Sequence, residues 1–249
     1  MELTMNNYTQ VYRNQNIFST YPKRHPLNLD ICLHYDNQYR GAEVNVNGGP
    51  MVREYMDGLI ETYQKQSADY SRVFAVMVSL SFPKDWTEEQ RISRDYYSRF
   101  MDSLNAQIRH FNDGKKEHGQ SRGSRVRFCR VIEDGQNPTG DEQHAKGFHI
   151  HAVLFFNGHQ FNTLGDFNSG LVNLGFRIES AWASALAVDV AMIKYLGLVD
   201  FSGGGYLIDS NASDRGNKRQ EMFYHYSYIC KAYSKRFDVP VKAFSRSRG

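Results

Sequence analysis

From Met51 to about Ala68 the apolar residues Val52, Tyr55, Met56, Leu59, Ile60 and Tyr63 recur at intervals of three and four, the spacing of an amphipathic helix. The run Val73 to Phe82 is almost continuously apolar and ends at Pro83, which predicts a buried strand. Thr87, followed by Glu88, Glu89 and Gln90, marks a helix start: its hydroxyl can accept an early backbone N–H, and the acids favour the positive end of the helix dipole. Tyr97, Phe100, Met101, Leu104, Ile108 and Phe111 carry that helix to about Phe111.

A Gly- and Lys-rich loop, 112–124, leads to a predicted strand from Arg125 to Glu133. The loop 134–146 then turns the chain into the apolar run Phe148 to Phe156, so these two strands form an antiparallel pair with a long connection. Beyond it the pattern predicts a helix around Glu179 to Ala187, short strands at about Val188 to Tyr195 and Gly205 to Ile208, and a last helix from about Arg219 to Tyr233. Residues 1–48 show no sustained period and end at Gly48-Gly49-Pro50, so they are expected to form an irregular arm ahead of one main domain, 49–249. The order of elements predicts an α+β fold, a central, mostly antiparallel sheet with flanking helices.

The chain has 249 residues, 41% of them hydrophobic, enough for one sizeable core. Its three cysteines are widely spaced and form no CxxC pair, so the pattern suggests neither a disulfide framework nor a zinc knuckle and fits a reducing compartment. No run approaches the roughly 18 apolar residues of a membrane span, and the N-terminus lacks a signal-peptide pattern, so a cytoplasmic protein is expected. The net charge is only +3, but the segment from Arg215 onward carries nine basic residues against Glu221 and Asp238. A second basic stretch includes Arg125 and Arg127. Lys and Arg interleaved with tyrosines suit a nucleic-acid backbone with bases stacked on rings, which nominates Arg125, Arg127, Arg219, Lys235 and Arg236 as DNA contacts. A solvated basic face is the plainer explanation of the charge.

His149-Ile150-His151 lies within the apolar strand. Successive strand residues point to opposite faces, so the two imidazoles share one face and can chelate a divalent ion. An isolated His-x-His is more often a pair of ordinary histidines, so its neighbours decide. Glu133, at the end of the partner strand, is the expected third ligand, with Asp134 and Asp141 as rivals. Two imidazoles and a carboxylate suit Mn²⁺ or Mg²⁺ and leave positions for phosphate oxygen and water.

Tyr228 and Lys231 lie three apart in the last predicted helix, on one face and within reach of one phosphate. A tyrosine phenolate can attack phosphorus to give a covalent phosphotyrosine, and a lysine can offset the developing negative charge. Tyrosines spaced along a helix are more often core, and Tyr224 is an alternative nucleophile, with Tyr226 and Tyr233 nearby.

Phe148-His149-Ile150-His151, an upstream carboxylate and Tyr228-x-x-Lys231 together resemble the HUH superfamily of single-strand DNA endonucleases. Gly147 to Leu154, Ala181 to Leu186, Ser227 to Ala232 and Phe244 to Gly249 more closely resemble the inovirus gene-two type of replication protein. The resemblance implies an HUH endonuclease domain over 49–249 with a ferredoxin- or RRM-like core. It further implies His149, His151 and Glu133 as ligands of Mn or Mg, Tyr228 as the nucleophile and Lys231 as its phosphate partner. The implied activity is nicking of single-stranded DNA at a phage or plasmid origin to start rolling-circle replication in a bacterial host cell. No ATP-binding loop motif is present, so unwinding would fall to a host helicase. A DNA-binding regulator that does not cleave is the rival reading. A two-histidine phosphoesterase is disfavoured because that class needs two separated His-x-Thr/Ser motifs and the sequence offers a single match, His225-Tyr226-Ser227.

Overall fold

The computed structural model of the chain describes residues 22–25, 28–117, 123–135, 147–167, 170–232, 235 and 242–248. In chain order the strands are β1 (Arg24–His25), β2 (Asn28–His34), β3 (Gln38–Tyr39), β4 (Ala42–Glu43), β5 (Met51–Val52) and β6 (Arg72–Ser81), then β7 (Arg127–Gly135), β8 (Gly147–Asn157), β9 (Val199–Phe201), β10 (Tyr206–Asp209) and β11 (Phe244–Arg246). The helices are α1 (Arg53–Asp69), α2 (Glu88–Ile92), α3 (Tyr96–Glu117), α4 (Leu174–Leu186), α5 (Val190–Leu196) and α6 (Arg215–Tyr226).

The protein is α+β. Its central sheet runs β10-β6-β8-β7-β11, with β9 pairing β6 alongside β10, and every pairing is antiparallel. Helices α3 and α4 cover one face, packing Phe100, Leu104, Ile178 and Trp182 on Val78, Leu80, Ala152 and Leu154. Helix α1 and the α6 segment cover the other, packing Met56, Leu59 and Tyr226 on Ala75, Val131 and Val153. Cover on both faces explains why β6 and β8 read as continuous apolar runs rather than alternating ones. The expected antiparallel pair is β7 and β8, in register from Arg127↔Phe155 to Gly135↔Gly147.

Several boundaries differ from expectation. The described part of the arm is not irregular: β2 pairs with β5 through Leu33↔Val52, and Ile31, Leu33, Tyr39 and Val44 are buried in the same core as α1. The short apolar residues of this segment pack against a neighbouring strand and helix, a long-range effect that leaves no local period. The single helix expected from Thr87 is two. Thr87 and Gln90 close a capping box on α2, and the Asp95 carboxylate then accepts from the Ser98 backbone N–H at 3.0 Å to start α3. The segment expected as a strand, Val188 to Tyr195, contains α5, capped by Asp189 at one end and by Gly197 in the left-handed conformation at the other. The last helix ends at Tyr226, and Ser227–Cys230 forms a 3₁₀ turn. No described helix is long and apolar enough to cross a membrane.

Candidate metal centre

The register of three strands builds the site. His149 on β8 stands opposite Glu133 on β7 and Ser81 on β6, while His151 stands opposite Val131 and Ser79. Directly opposed residues project from the same face, so one carboxylate, two imidazoles and a serine hydroxyl meet on the α1 side of the sheet. Glu133, His149 and His151 are all buried, and their ligand atoms lie within 4.8 Å of one another. They can hold a divalent metal ion.

Hydrogen bonds set the direction of each ring. His149 Nδ1 lies 2.8 Å from the Gly147 carbonyl oxygen. A carbonyl can only accept, so neutral His149 carries its proton on Nδ1 and turns the lone pair of Nε2 inward. His151 Nδ1 lies 2.8 Å from Ser79 Oγ, which can accept that proton and leave the second Nε2 free as a donor atom to metal. The two Nε2 atoms are 3.0 Å apart, and His151 Nε2 is 3.7 Å from Glu133 Oε2. Two adjacent ligands about 2.1 Å from an octahedral ion would themselves stand about 3.0 Å apart. The imidazole pair thus fits such an ion without rearrangement.

Two lysines complete the cluster. Lys231 Nζ is 3.2 Å from Glu133 Oε2, and Lys235 Nζ hydrogen-bonds Glu133 Oε1. Burial pushes the Glu133 carboxyl up, but Lys235, His151 and Lys231 outweigh it and hold the pKa at about 2. Burial pushes His151 down to about 3 against the opposing pull of Glu133, so its imidazole is neutral. Desolvation also lowers Lys235. With both lysines protonated the cluster carries one positive charge in excess of its carboxylate.

Tyr228 sits beside this cluster. Its ring meets His151 edge-on at a centroid separation of 5.8 Å, and Lys231 Nζ lies 3.6 Å from its centroid. In a 3₁₀ turn residues three apart eclipse each other, which places Lys231 over the Tyr228 ring. The ring is half-buried. Tyr224, one turn earlier on α6, contacts His225, and Tyr226 is buried with its hydroxyl donating to the Ala75 carbonyl.

The expected DNA contacts divide. Arg125 and Arg219 are exposed, and Arg219 lines a groove of about 220 Å³ with Arg40 and Tyr63. Arg127 is not on a free surface: its guanidinium donates to Gln66 at 2.8 Å and pairs with Asp69 at 2.7 Å. Lys235 is buried in the cluster rather than exposed, because Glu133 needs its charge. Arg236 and Asp141 lie outside the described residues, and the backbone of Asp134 opposes Phe148 rather than a histidine. Ser79 was not foreseen as a site residue; its signal is a small polar residue on the histidine face of an otherwise apolar strand.

A family model described as the YagK/YfjJ C-terminal domain matches residues 36–247. The chain is 24% identical over 211 residues to the uncharacterized protein YfjJ of Escherichia coli (strain K12), spanning 81% of this chain and 97% of that one. It is 25% identical over 207 residues to the uncharacterized protein YagK of the same organism, spanning 80% of this chain and 95% of that one. No solved structure matches. Since the family match runs through the histidine strand, its carboxylate partner and the Tyr228 turn, the chain belongs to the YagK/YfjJ C-terminal domain family.

Proposed function

We propose that this protein is a metal-dependent single-strand DNA nickase and strand transferase, the initiator of rolling-circle replication at a phage or plasmid origin in the cytoplasm of a bacterial cell. The observation that carries the reading is the convergence of His149, His151 and Glu133 with Tyr228 and Lys231 at one end of β7 and β8. The resemblance to HUH endonucleases supports it.

A bound Mn²⁺ or Mg²⁺ would polarise the scissile phosphate. His149 and His151 would hold that ion through their Nε2 atoms, since the Gly147 carbonyl and Ser79 hydroxyl keep each proton on Nδ1. The excess positive charge of Lys231 and Lys235 over Glu133 draws a phosphodiester to the site. The Tyr228 phenol oxygen forms a bond to phosphorus as one backbone P–O ester bond breaks. The phenol gives its proton to solvent, and the leaving sugar oxygen takes one up. Lys231, already over the tyrosine ring, stabilises the negative charge that develops between them. Separation of the strands ahead of the nick falls to a host helicase.

Incubation with labelled single-stranded origin DNA and Mn²⁺ or Mg²⁺ tests the proposal. Wild type should yield a protein–DNA adduct that survives denaturation, and Tyr228→Phe and His151→Ala should not. An adduct that persists in Tyr228→Phe moves the nucleophile to another residue, Tyr224 first. One observation favours a second reading, a DNA-binding regulator that does not cleave: both Glu133 oxygens are already engaged by lysines. Binding of origin DNA without cleavage under any metal would establish it.

A further inference from the structure

A groove opens on the histidine side of the sheet, between the β3–β4 turn, α1 and α6. Ile60 and Phe223 give it apolar walls, and half-buried Tyr63 stands between them and the sheet, its ring 6.3 Å from that of Phe155. Arg40 and Arg219 also line it, both are exposed, and no carboxylate does so among the described residues. Arg219 makes no ion pair with a described carboxylate. Burial pushes the Tyr63 hydroxyl up and the Arg219 charge opposes it, so guanidinium and ring are close. Arg40 pairs with Asp57 at 2.9 Å, which holds its guanidinium in place, and its side chain is still 60% exposed, so its other donors stay open to a ligand.

Arg40 and Gly41 form the two-residue turn between β3 and β4, and both have positive φ, 48° and 78°. Asn or Gly ordinarily takes the first of these places. An arginine there bears backbone strain, and a strained residue at the mouth of a groove points to a use for its side chain. The groove holds about 220 Å³, below the roughly 300–1,000 Å³ of pockets that enclose a whole small molecule. It suits one unit of a longer ligand that passes across it. Two guanidiniums without a carboxylate select an anion, and an apolar wall with a tyrosine ring beside them suits a phosphate joined to a flat base. The path to the nucleophile is short. Gln220 lines the groove, and Gln220, Tyr224 and Tyr228, all half-buried, recur every four residues as one stripe along α6 and the turn after it. That stripe is roughly 12 Å long, so a strand engaged at Tyr228 reaches the groove within a few nucleotides.

We propose that this groove takes one nucleotide of the DNA strand that flanks the nicked phosphate, with its own phosphate between the Arg40 and Arg219 guanidiniums and its base against Tyr63. The inference rests on the single-strand DNA reading above and adds to it a second hold on the strand, one that grips backbone and ring without reading sequence.

Fluorescence anisotropy on the full chain with labelled oligodeoxythymidine, chelator present and salt varied, tests it. Arg219→Ala and Arg40→Asn should each weaken binding about tenfold and make the salt dependence shallower by about 0.7 in log–log slope, the loss of one phosphate contact on a single strand. Arg40→Asn suits the turn better than arginine does, so its thermal midpoint should hold or rise while its DNA affinity falls. Lys218→Ala removes the same charge one residue away on α6, from a lysine paired with Asp214 outside the groove, and should change affinity by no more than about twofold. Tyr63→Leu should weaken binding about fivefold at unchanged salt slope, and Tyr63→Phe, which keeps the ring, should bind as wild type does. A loss in Arg219→Ala no greater than that in Lys218→Ala, or full affinity in Tyr63→Leu, overturns the groove and leaves the DNA reading standing. Displacement of the strand by free thymidine monophosphate as readily as by unlabelled strand makes the groove a mononucleotide site and also overturns the proposal. Failure of wild type to bind the strand at any salt overturns both.

Discussion

His151 and Glu133 make the protein sensitive to acid. The ordinary pKa values are 6.5 for His151 and 4.5 for Glu133, and the fold lowers both, to about 3 and about 2. The unfolded chain therefore takes up each proton at a higher pH than the native protein does. Stability contributed by these groups is complete above about pH 6.5, starts to fall as His151 protonates in the unfolded chain, and falls further below about pH 4.5 as Glu133 does the same. With chelator present, the thermal midpoint should drop from pH 7 to pH 4. His151→Gln should flatten the upper part of that decline, and Glu133→Gln only the lower part. Ser79→Ala, which frees the His151 ring to turn, should weaken Mn²⁺ binding by about 10- to 100-fold in a calorimetric titration. Lys231→Ala should slow nicking about tenfold or more while changing DNA affinity at fixed salt by only about twofold. The histidine pair and Glu133 were legible because a period of two and an antiparallel partner decide which side chains meet. Lys235 was not, since its partner lies 102 residues away and a lone lysine in a basic tail carries no sign of burial.

At the scale of elements, continuous apolar runs and helical periods located β6, β7, β8 and α1 well, and the C-terminal part of α4, which starts five residues earlier than expected. What failed were segments in which short punctuation outweighs pattern. Asp189 and Gly197 bracket seven residues that look strand-like in composition, but capping at both ends makes them α5. Asp95 likewise restarts a helix where the apolar spacing alone runs on. The turn after α6 matters most for the site. The Ser227 hydroxyl donates to the Tyr224 carbonyl at 2.7 Å and accepts from the Asn45 backbone N–H at 3.0 Å, fixing the tight turn that brings Lys231 over Tyr228. Helix α4 supports the centre from the other face: buried Trp182 donates from Nε1 to the carbonyl of Ser81, the residue paired with His149. Trp182→Phe should lose that bond and leave a small cavity, costing about 1–3 kcal/mol in urea unfolding.

Across the whole molecule, the centre depends on pieces that are distant in sequence. Ala232 donates to the Pro50 carbonyl at 2.8 Å, and Met51 bridges Lys231, so the segment carrying the lysines is fastened to the start of α1. That start is in turn held by β2. A chain cut to 49–249 should therefore lose cooperative unfolding and bind a hydrophobic dye, because the partners of buried Ile31, Leu33, Tyr39 and Val44 would be exposed. The pairing of Glu133 with Lys235 also orders events during synthesis. The hairpin of β7 and β8 leaves the ribosome complete, with its carboxylate and both imidazoles, well before Lys231 and Lys235 are made. For that interval the acid lacks both lysines that neutralise it in the finished protein, and a divalent ion could serve as its counter-charge. Release of the C-terminus then brings the lysines in as competitors for Glu133, so a nascent chain stalled before residue 231 should bind divalent metal more tightly than the finished protein.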